Sequence, residues 1–511
     1  MISHISPDAL SACTSAESQS SEVAFNKNVA DLWNQSPSYN RKALNTGIVH
    51  FGPGRFFRAH LARIIHEHLS NQYQDLRWGI CGVSLKSRSA IATLQPQNFL
   101  YTSTDRYSGD EIHESARVIG SINQIVDGIT EQDYVLELMT SPSLHLVTLT
   151  VTQAGYCLDQ NFNLDLSHES IVHDLNRPDR PTTAIGFIVE ALRRRRERDI
   201  APFTTLSCDN LPRNGTILQH AVLTYADQID PAFADYLINQ AAFPNTVVDR
   251  IVPQKHESDD QHPYRLLQVR DRAPIVTEPF WQFVVEDKFT SDRPLWEETG
   301  VTMTDDITPF LYMKSRFLNA VHSFIACLAV RAGVEYVHQC LKSPEFYSFI
   351  RLLMEDIAAA TPVPDYMCEQ YIEQVLRRLS NEALPDLIAR ISAETARKLG
   401  KYILPILQDA HAQKLNLEHL MLPIAAWMLA LQDGISETGT AFHANDKADV
   451  IIMAQAGAAL SQILGLEKCE CTDTLDRYCD RALREIRTRG LSATLRYYSE
   501  EPIQNEIIPA A

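Results

Sequence analysis

Short apolar runs alternate with helical patterns through the first three hundred residues. Four runs have the length and β-branched character of buried strands: GIVHFG (47–52), RWGICGVSL (77–85), LHLVTLTVT (144–152) and PFTTLSC (202–208). Apolar residues at helical spacing follow, for example in residues 58–69 and 182–198. Strands that alternate with helices are typical of a parallel, doubly wound sheet. We therefore expect an α/β domain over residues 41–295.

The pattern changes beyond about residue 300, where strand candidates are nearly absent. Five segments carry helical periodicity, namely residues 314–333, 346–360, 368–380, 419–432 and 450–465. We therefore expect an all-helical domain from residue 296 to residue 511. At the other end, residues 1–40 are polar and serine-rich, which predicts a poorly ordered leader. Residues 253–275 are expected to form an exposed excursion of the first domain.

Composition and charge narrow the classes of partner. The 511 residues carry 46 basic and 64 acidic side chains, for a net charge of −18, which argues against nucleic acid as the main partner. No apolar run approaches the roughly twenty residues of a membrane span. The ten cysteines form no CxxC pair, so we expect reduced thiols in a cytoplasmic protein. His60, His66 and His68 lack the spacing or carboxylate company of a metal site, so no metal is expected.

Two glycines follow the first predicted strand directly and precede a helix. In HFGPGRFFRAH, Gly52 and Gly54 permit a tight turn, at which a pyrophosphate could approach backbone N–H groups. The pattern is G-x-G-x-x-F, because Phe57 stands where a third glycine would be. A structural turn without a ligand remains the alternative, although the position after the first strand of an α/β pattern favours a dinucleotide.

The segment after the second predicted strand bears on which dinucleotide would bind. An acidic residue usually follows that strand and holds the adenosine ribose. Here the sequence is Ser84-Leu85-Lys86-Ser87-Arg88, with no carboxylate. Lys86 and Arg88 would suit a ribose 2′-phosphate, so NADP is a possible cofactor as well as NAD. Solvent-facing loop charges are the alternative.

Two further segments place polar residues at predicted strand ends, where ligands of open α/β sheets bind. SCDNLPRNG (207–215) contains Asp209 and Asn210, which could instead cap a helix or form an Asx turn. FPNTVVDRIVP (243–253) sets Asp249 and Arg250 within an apolar run, where a buried structural ion pair is the alternative.

The segment FLYMKSRFLNAVHS (310–323) combines a buried helical pattern with Lys314, Asn319 and His322. On an α-helix Asn319 lies about 140° and His322 about 80° from Lys314, so the three share one broad face. A snorkelling lysine and a satisfied core histidine are the structural alternatives. A desolvated lysine has a lowered pKa and can act as a general base, and an amide beside it can donate to a developing alkoxide.

Together these segments resemble the mannitol dehydrogenase family of polyol-specific long-chain dehydrogenases, which includes fructuronate reductase. The resemblance runs collinearly from about Ile48 to at least Pro405. It is carried by GPGRFFRAH, LYT (100–102), IGSI (119–122), TLTVTQAGY (148–156), SCDNLPRNG, VVDRIVP (247–253), EPFWQFVVEDKF (278–289) and KSRFLNAVHS (314–323). The resemblance implies a metal-independent, nicotinamide-dependent oxidoreductase with an N-terminal Rossmann-like domain, a helical C-terminal domain and an active site between them.

The resemblance also implies roles for individual residues. Lys314 matches the catalytic base, Asn210 and Asn319 the amides that hold the reacting oxygen, and His322 a contact to a substrate hydroxyl. Asp249 matches a further active-site residue, and Arg390 and Lys398 match substrate-binding positions. Contacts to the cofactor are expected from Phe51, Gly52, Gly54 and Arg88.

Some positions depart from the family pattern, and the substrate stays open accordingly. Gln153 and Leu311 stand where relatives usually or often carry glutamate, which puts the proton route and the pH optimum in doubt. Because Arg390 is present, we expect a mannitol-type polyol and its ketose, with NAD or NADP. Fructuronate reduction is the first alternative, and a catalytically silent nucleotide-binding protein is the second. The expected partners are small molecules, with no nucleic acid or membrane, and the protein is expected to be a monomer or a small homo-oligomer.

Overall fold

The computed structural model describes residues 37–500 of the chain. The chain divides into two compact units, one up to Ile307 and one from Thr308 onward. Most of the predicted leader at residues 1–40 lies outside the described residues. No helix within residues 37–500 combines the length and the apolar character needed to cross a lipid bilayer.

A five-stranded parallel sheet organises the first unit, in the strand order β5-β2-β1-β6-β7. Its strands are β1 (Thr46–Phe51), β2 (Gly79–Ser84), β5 (Ile122–Asp127), β6 (Leu146–Leu149) and β7 (Thr204–Ser207). The four strands predicted from apolar runs are therefore present; β1 is shifted by one residue, and the other three are shorter than their runs. The predicted α/β class with a doubly wound parallel sheet is confirmed.

Alternating side chains of the central strands supply two hydrophobic cores, one on each face of the sheet. Val49 and Phe51 of β1 belong to one core, whereas Ile48 belongs to the other. This alternation follows from the two-residue period of a strand. Each fully buried side chain of this kind contributes roughly 1.5–3 kcal/mol relative to an exposed one. Burial on both faces explains why these strands appear in the sequence as continuous apolar runs.

Helices and short 3₁₀ turns connect the strands of the first unit. The helices are α1 (Arg55–Ala59), α2 (Leu61–Asn71), α3 (Ser89–Leu94), α4 (Gln132–Thr140), α5 (Thr152–Gly155), α6 (Glu169–Asn176), α7 (Ala184–Glu197), α8 (Asn214–Ile229), α9 (Pro231–Gln240) and α10 (Gln261–Leu267). The 3₁₀ turns are Arg41–Ala43, Leu76–Trp78, Gln95–Gln97, Glu257–Asp260 and Trp296–Thr299.

Two small sheets complete the first unit. One has the order β4-β3-β9, from β3 (Tyr101–Ser108), β4 (Ile112–Ile119) and β9 (Ile275–Thr277), and the other has the order β11-β10-β8, from β8 (Thr246–Asp249), β10 (Gln282–Glu286) and β11 (Thr302–Thr304). The expectation of an exposed excursion at residues 253–275 holds for residues 254–257 but is wrong for the later part, because Leu267, Val269 and Asp271 are buried. Asp271 accepts hydrogen bonds from the backbone N–H and hydroxyl of Thr102 at 2.6 and 2.7 Å, which ties this segment to β3.

The described residues of the second unit form α- and π-helices joined by loops, with two isolated β-bridges and no strand longer than these, as the periodicity predicted. Its α-helices are α11 (Thr308–Tyr312), α12 (Val321–Ala332), α13 (Val337–Lys342), α14 (Pro344–Ala359), α15 (Asp365–Leu379), α16 (Ile388–Ile391), α17 (Thr395–Lys398), α18 (Leu404–Ala412), α19 (Glu418–Asp433), α20 (Ala448–Gln455), α21 (Leu460–Ile463), α22 (Glu470–Arg489) and α23 (Leu491–Glu500). The apolar helix α19 packs against α12 and α22 and is buried along nearly its whole length.

Two π-helical segments interrupt the α-helices of the second unit. The first runs from Met313 to Ala320 between α11 and α12, and the second runs from Leu399 to Ile403 between α17 and α18. The two segments pack against each other. π-helical turns are rare and often occur at functional sites. The first segment contains Lys314 and Asn319, and the second begins directly after Lys398, which are positions that the sequence marks as chemically unusual.

Candidate functional site

The turn after β1 contains two glycines, and the structure gives a different reason for glycine at each position. Gly52 has a φ of +91°, and a Cβ at this position would lie 2.3 Å from the carbonyl oxygen of Thr150. Only glycine adopts this conformation without a steric penalty. At Gly54, by contrast, the nearest atom to an added Cβ would be the Gly52 oxygen at 3.9 Å. Gly54 therefore leaves open space beside the turn.

His50 fixes this turn through hydrogen bonds of its imidazole. This residue was not identified from the sequence. Its Nδ1 lies 2.7 Å from the hydroxyl of Thr148, and its Nε2 lies 2.9 Å from the hydroxyl of Thr150 and 3.2 Å from the Gly52 oxygen. Burial lowers the pKa of His50 to about 3, so the imidazole is neutral. Phe57 stacks on this ring with centroids 3.6 Å apart. The aromatic residue in place of a third glycine is thus explained by its contact with His50.

A cavity of about 530 Å³ lies beside this turn, within the first unit. It is lined by Gly52, Pro53, Gly54, Ser84, Leu85, Lys86, Ser87, Ser89, Ala90, Ile129, Thr150, Val151, Ala154, Gly155, Cys157, His168, Ser170, Thr182 and Thr183. The volume is typical of a small-molecule site, and the lining follows the carboxyl ends of β1, β2 and β6. The glycine turn, the open space at Gly54 and the position at the strand ends together fit a dinucleotide.

The four predicted cofactor residues have different environments. Gly52 and Gly54 line the cavity. The side chain of Phe51 is buried in the core, 5.6 Å from the ring of Phe187 between centroids. Arg88 is largely exposed, and its Nε lies 3.1 Å from a carboxylate oxygen of Asp127. The side chains of Phe51 and Arg88 thus have other contacts, and their predicted cofactor contacts stay predictions.

Asp209 joins the loop after β7 to the turn after β6. Its carboxylate accepts hydrogen bonds from the backbone N–H groups of Val151 and Thr152, at 2.9 and 3.0 Å, and from the hydroxyl of Tyr156 at 2.8 Å. Thr152 has a φ of +62°, a strained value for a β-branched residue. Burial raises the pKa of Asp209, and these three donors oppose that shift. These three hydrogen bonds, which we call the clamp, fix the backbone beside the exposed residue Asn210.

Asp249 and Arg250 are both buried, but the structure gives Arg250 other partners. Asp249 ends β8 opposite Gln282 of β10. The Arg250 guanidinium donates to a carboxylate oxygen of Asp105 at 2.7 Å and to the carbonyl oxygens of Ala59 and Glu278 at 2.5 and 2.7 Å. Arg250 is therefore a structural cross-link between β8 and β3, while Asp249 remains a predicted site residue.

Lys314 and Asn319 both lie in the first π-segment, and His322 lies in the first turn of α12. The α-helical angles used for the sequence do not hold here. In a π-helix each backbone bond spans five residues, so Lys314 and Asn319 are about one turn apart and lie on the same face. Lys314 and Asn319 are half-buried. The π-segment thus brings an amine and an amide closer in azimuth than an α-helix would.

His322 is a half-buried, neutral imidazole, and its buried Nε2 atom has no hydrogen-bond partner among the described residues. Only 18% of its side chain is exposed, and Nε2 lies 3.6 Å from a carboxylate oxygen of Asp386, beyond hydrogen-bond distance. Burial lowers the pKa of His322 to about 4, although Asp386 opposes that shift. A buried polar atom without a partner is costly, so this nitrogen is a candidate contact for a bound ligand.

Asp386 connects His322 to Arg390 and was missed by the sequence analysis. Arg390 binds Asp386 in a bidentate manner, with Nε 2.9 Å from Oδ1 and Nη2 2.5 Å from Oδ2. Lys398 donates from Nζ to the carbonyl oxygen of Ile391 at 2.6 Å. Its pKa is lowered by burial and then by the charge of Arg390. The second unit therefore brings together His322, Asp386 and Arg390, with Lys398 electrostatically coupled to them.

The family departures have clear locations. Leu311 lies half-buried in α11, and Gln153 lies exposed in α5. Neither position carries a carboxylate. Among residues 37–500, no group of three or more histidine, cysteine, aspartate or glutamate side chains is arranged to hold a metal ion.

Comparisons with known proteins match both units. Residues 46–298 match the mannitol dehydrogenase Rossmann domain, and residues 306–466 match the mannitol dehydrogenase C-terminal domain. An uncharacterized oxidoreductase of Escherichia coli, YeiQ, is 36% identical, and the alignment covers 84% of this chain and 87% of that protein.

Two solved structures are similar over almost the whole chain. Substrate-free D-sorbitol dehydrogenase has a TM-score of 0.83 at 30% identity, covering 90% of this chain and 97% of that one. Mannitol 2-dehydrogenase of Pseudomonas fluorescens, in ternary complex with NAD and D-mannitol, has a TM-score of 0.78 at 31% identity. That match covers 93% of this chain and 99% of the other.

Proposed function

Because this chain belongs to the mannitol dehydrogenase family and is an NAD-dependent dehydrogenase that acts on a CH–OH group, we propose that its substrate pair is a sugar alcohol and the corresponding ketose. The preferred pair in this proposal is D-mannitol and D-fructose. The observation that carries the preference for a polyol is the bidentate pairing of Arg390 with Asp386. That pairing neutralises the guanidinium where a sugar acid would need a cation.

The first unit would hold the cofactor at the glycine turn and the cavity beside it. Backbone N–H groups near Gly52 and Gly54 suit a pyrophosphate, because glycine lets the phosphate approach the main chain closely. When bound, NAD supplies the acceptor for the hydride that leaves the carbinol carbon. His50 and Asp209 support the binding geometry, since they fix the turns after β1 and β6.

Lys314 is the proposed general base. In the oxidation direction its neutral amine takes the proton of the reacting hydroxyl, and in the reduction direction its ammonium returns a proton to the oxygen. A base of this kind contributes about 10²- to 10⁴-fold in rate. The half-buried position of Lys314 in the first π-segment supports the proposal, because desolvation favours the neutral amine.

Asn210 and Asn319 are the proposed donors to the reacting oxygen. Each amide N–H would stabilise the negative charge that develops on that oxygen as its proton leaves. One such donor contributes on the order of 3 kcal/mol to the transition state in other enzymes. His322 would contact a neighbouring substrate hydroxyl through its Nε2, and Asp249 would contribute a further polar contact.

Fructuronate reduction is the second candidate function, and Lys398 is the observation that favours it. Its ammonium donates to the backbone carbonyl of Ile391, which leaves its positive charge uncompensated by that contact. An anionic substrate could use this charge as Arg390 could not. The choice between polyol and sugar acid therefore depends on which of the two cations meets the substrate.

The test is a substrate panel assayed in both directions with NAD(H). D-Fructose, D-fructuronate and D-tagaturonate are reduced with NADH, and D-mannitol, D-sorbitol and D-mannonate are oxidised with NAD. We expect the highest kcat/KM for fructose and mannitol, and much lower values for Lys314→Ala. Higher kcat/KM for fructuronate and mannonate would overturn the polyol assignment. NADH binding without turnover of any of the six would instead favour a silent binding protein.

We further propose that the protein acts in the cytoplasm on small molecules, as a monomer or a small homo-oligomer. Support for a reducing compartment comes from the nine cysteines of the described residues, which are all unpaired thiols. The net charge of −18 supports small-molecule rather than nucleic-acid partners.

A further inference from the structure

The cavity of the first unit contains no carboxylate among its lining residues. In dinucleotide-binding sheets an acidic side chain after the second strand usually binds the ribose hydroxyls of NAD and repels a 2′-phosphate. Here β2 ends at Ser84, and Leu85, Lys86 and Ser87 follow it along the cavity wall. The element that would exclude a phosphorylated ribose is therefore missing from its usual place.

The neighbouring carboxylate of Asp127 does not replace it. Asp127 lies opposite Ser84 in the pairing of β2 with β5. Its Oδ1 accepts hydrogen bonds from the backbone N–H groups of Ile129 and Thr130, at 2.9 and 3.3 Å, and its Oδ2 faces the Arg88 guanidinium at 3.1 Å. Both oxygens are thus engaged, and the charges of Asp127 and Arg88 compensate each other.

Lys86 is the one lysine or arginine among the residues that line the cavity. The Lys86 ammonium also acts electrostatically on Cys157, another residue that lines the cavity. Burial raises the pKa of that thiol, Asp174 raises it further, and the Lys86 ammonium opposes both. Hydroxyls lie next to Lys86 along the chain, with the Oγ atoms of Ser87 and Ser89 3.0 Å apart. A cation beside hydroxyl donors is the usual chemistry of a phosphate contact.

We propose that Lys86, with the hydroxyls of Ser87 and Ser89, forms a subsite for the 2′-phosphate of NADP(H), so that the protein accepts NADP(H) beside NAD(H). The proposal rests on the proposed function only in assuming that a dinucleotide binds in this cavity. In this subsite the Lys86 ammonium recognises the phosphate monoester at the ribose 2′ position, and NAD is not excluded because no group there requires the phosphate.

The test uses nucleotide fragments that cannot transfer hydride, titrated calorimetrically into the full-length protein. ADP-ribose and 2′-phospho-ADP-ribose are compared for the wild type, for Lys86→Ala and for Lys42→Ala. The last variant removes the same charge at an exposed position outside the cavity. We expect both fragments to bind the wild type within about tenfold of each other. Lys86→Ala should weaken the phosphorylated fragment about tenfold and ADP-ribose less than twofold, whereas Lys42→Ala should change neither appreciably.

A second variant makes the test sharper. Lys86→Asp places a carboxylate where the usual ribose ligand would stand, so we expect it to discriminate against the 2′-phosphate by about a hundredfold or more. The proposal is overturned if the wild type already prefers ADP-ribose by more than a hundredfold, or if Lys86→Ala weakens both fragments equally. Because no substrate is present, these outcomes are independent of the substrate panel, in which NADPH is then compared with NADH.

Discussion

The cavity of the first unit and the side-chain cluster of the second unit are built on different principles. Around the cavity the main contributors are backbone atoms and hydroxyls, arranged by the positive φ of Gly52 and the hydrogen bonds of His50. The second unit instead presents side chains of definite chemistry, Lys314 and Asn319 on a π-helix and His322 beside the Asp386–Arg390 pair.

This difference separates nucleotide binding, which we assign to the first unit, from proton transfer, which we assign to the second. A backbone turn can hold a pyrophosphate with many side-chain compositions, because its donors are main-chain N–H groups. Proton transfer needs a specific functional group at a specific atom. Substitutions in the cavity should therefore change nucleotide affinity most, and substitutions at Lys314, Asn319 and Asn210 should change turnover most.

The largest effect on turnover is expected for Lys314→Ala. Loss of the proposed base should lower kcat by about 10³-fold, within the range for general bases. Steady-state fructose reduction checks this, with Lys342→Ala as the control because that lysine is exposed. Small primary amines added to Lys314→Ala should restore part of the rate. A variant that keeps kcat within tenfold of the wild type would remove Lys314 from the mechanism.

The amide donors should have the next largest effect. Asn210→Ala and Asn319→Ala should each lower kcat by about 10²-fold, because each loses a donor to the developing oxyanion. The double variant should lose less than the product of the two effects if both amides serve one oxygen, as proposed. Asn239→Ala, at an exposed amide in α9, is the control. A rise in KM at constant kcat would assign the amides to substrate binding alone.

A smaller effect is expected for Asp209, which acts through Asn210 and the turn after β6. Asp209→Asn replaces an acceptor of three hydrogen bonds by an amide that cannot accept all of them, so we expect kcat/KM to fall about tenfold. Tyr156→Phe removes a single donor and should cost less. The Kd for NADH distinguishes the two routes: a raised Kd indicates an effect through the turn after β6, and an unchanged Kd indicates an effect through Asn210. Unchanged kcat/KM in Asp209→Asn would show that the clamp does not position the site.

The smallest effect on turnover is expected for His322, which we test through stability. Its pKa of about 4 lies below the ordinary 6.5, so between these values the unfolded chain binds more protons. The contribution of neutral His322 to the free energy of unfolding is therefore complete above pH 6.5 and is lost as the pH falls towards 4. Between pH 7.5 and 5, His322→Gln should lose about 2 kcal/mol less unfolding free energy than the wild type. Parallel losses in urea titrations would contradict the burial argument.

Much of the first unit was predictable from sequence, because strands buried on both faces give continuous apolar runs. The run at 47–52 became β1 with a one-residue shift. The small sheets were missed, since YTSTDRYS of β3 is polar along its whole length and pairs with Ile275–Thr277 far along the chain. Polar residues at 253–275 suggested exposure, but the carboxylate of Asp271 is buried by its bonds to Thr102. Such long-range satisfaction of a polar group leaves no local pattern.

The candidate site was predictable where a residue was out of place for its element. Lys314, Asn319 and His322 stood out because a buried helix does not require them. The π-helical conformation could not be predicted, since the spacing of apolar residues over its eight positions resembles that of an α-helix. Asp386 could have been suggested by its four-residue spacing to Arg390, whereas its approach to His322 depends on the packing of residues that are 64 positions apart in the chain. The phosphate-suited surroundings of Lys86 were predictable from the missing carboxylate.

The central claim, that the first unit binds the nucleotide and the second performs the proton chemistry, is tested by one crossed measurement. The Kd for NADH and the kcat at saturating NADH are determined for the wild type, Gly52→Ala and Lys314→Ala. We predict that Gly52→Ala raises the Kd about tenfold or more, because a Cβ there meets the Thr150 oxygen, while kcat stays within about threefold. Lys314→Ala should do the reverse. Loss of kcat without loss of affinity in Gly52→Ala, or loss of affinity with kcat retained in Lys314→Ala, would contradict it.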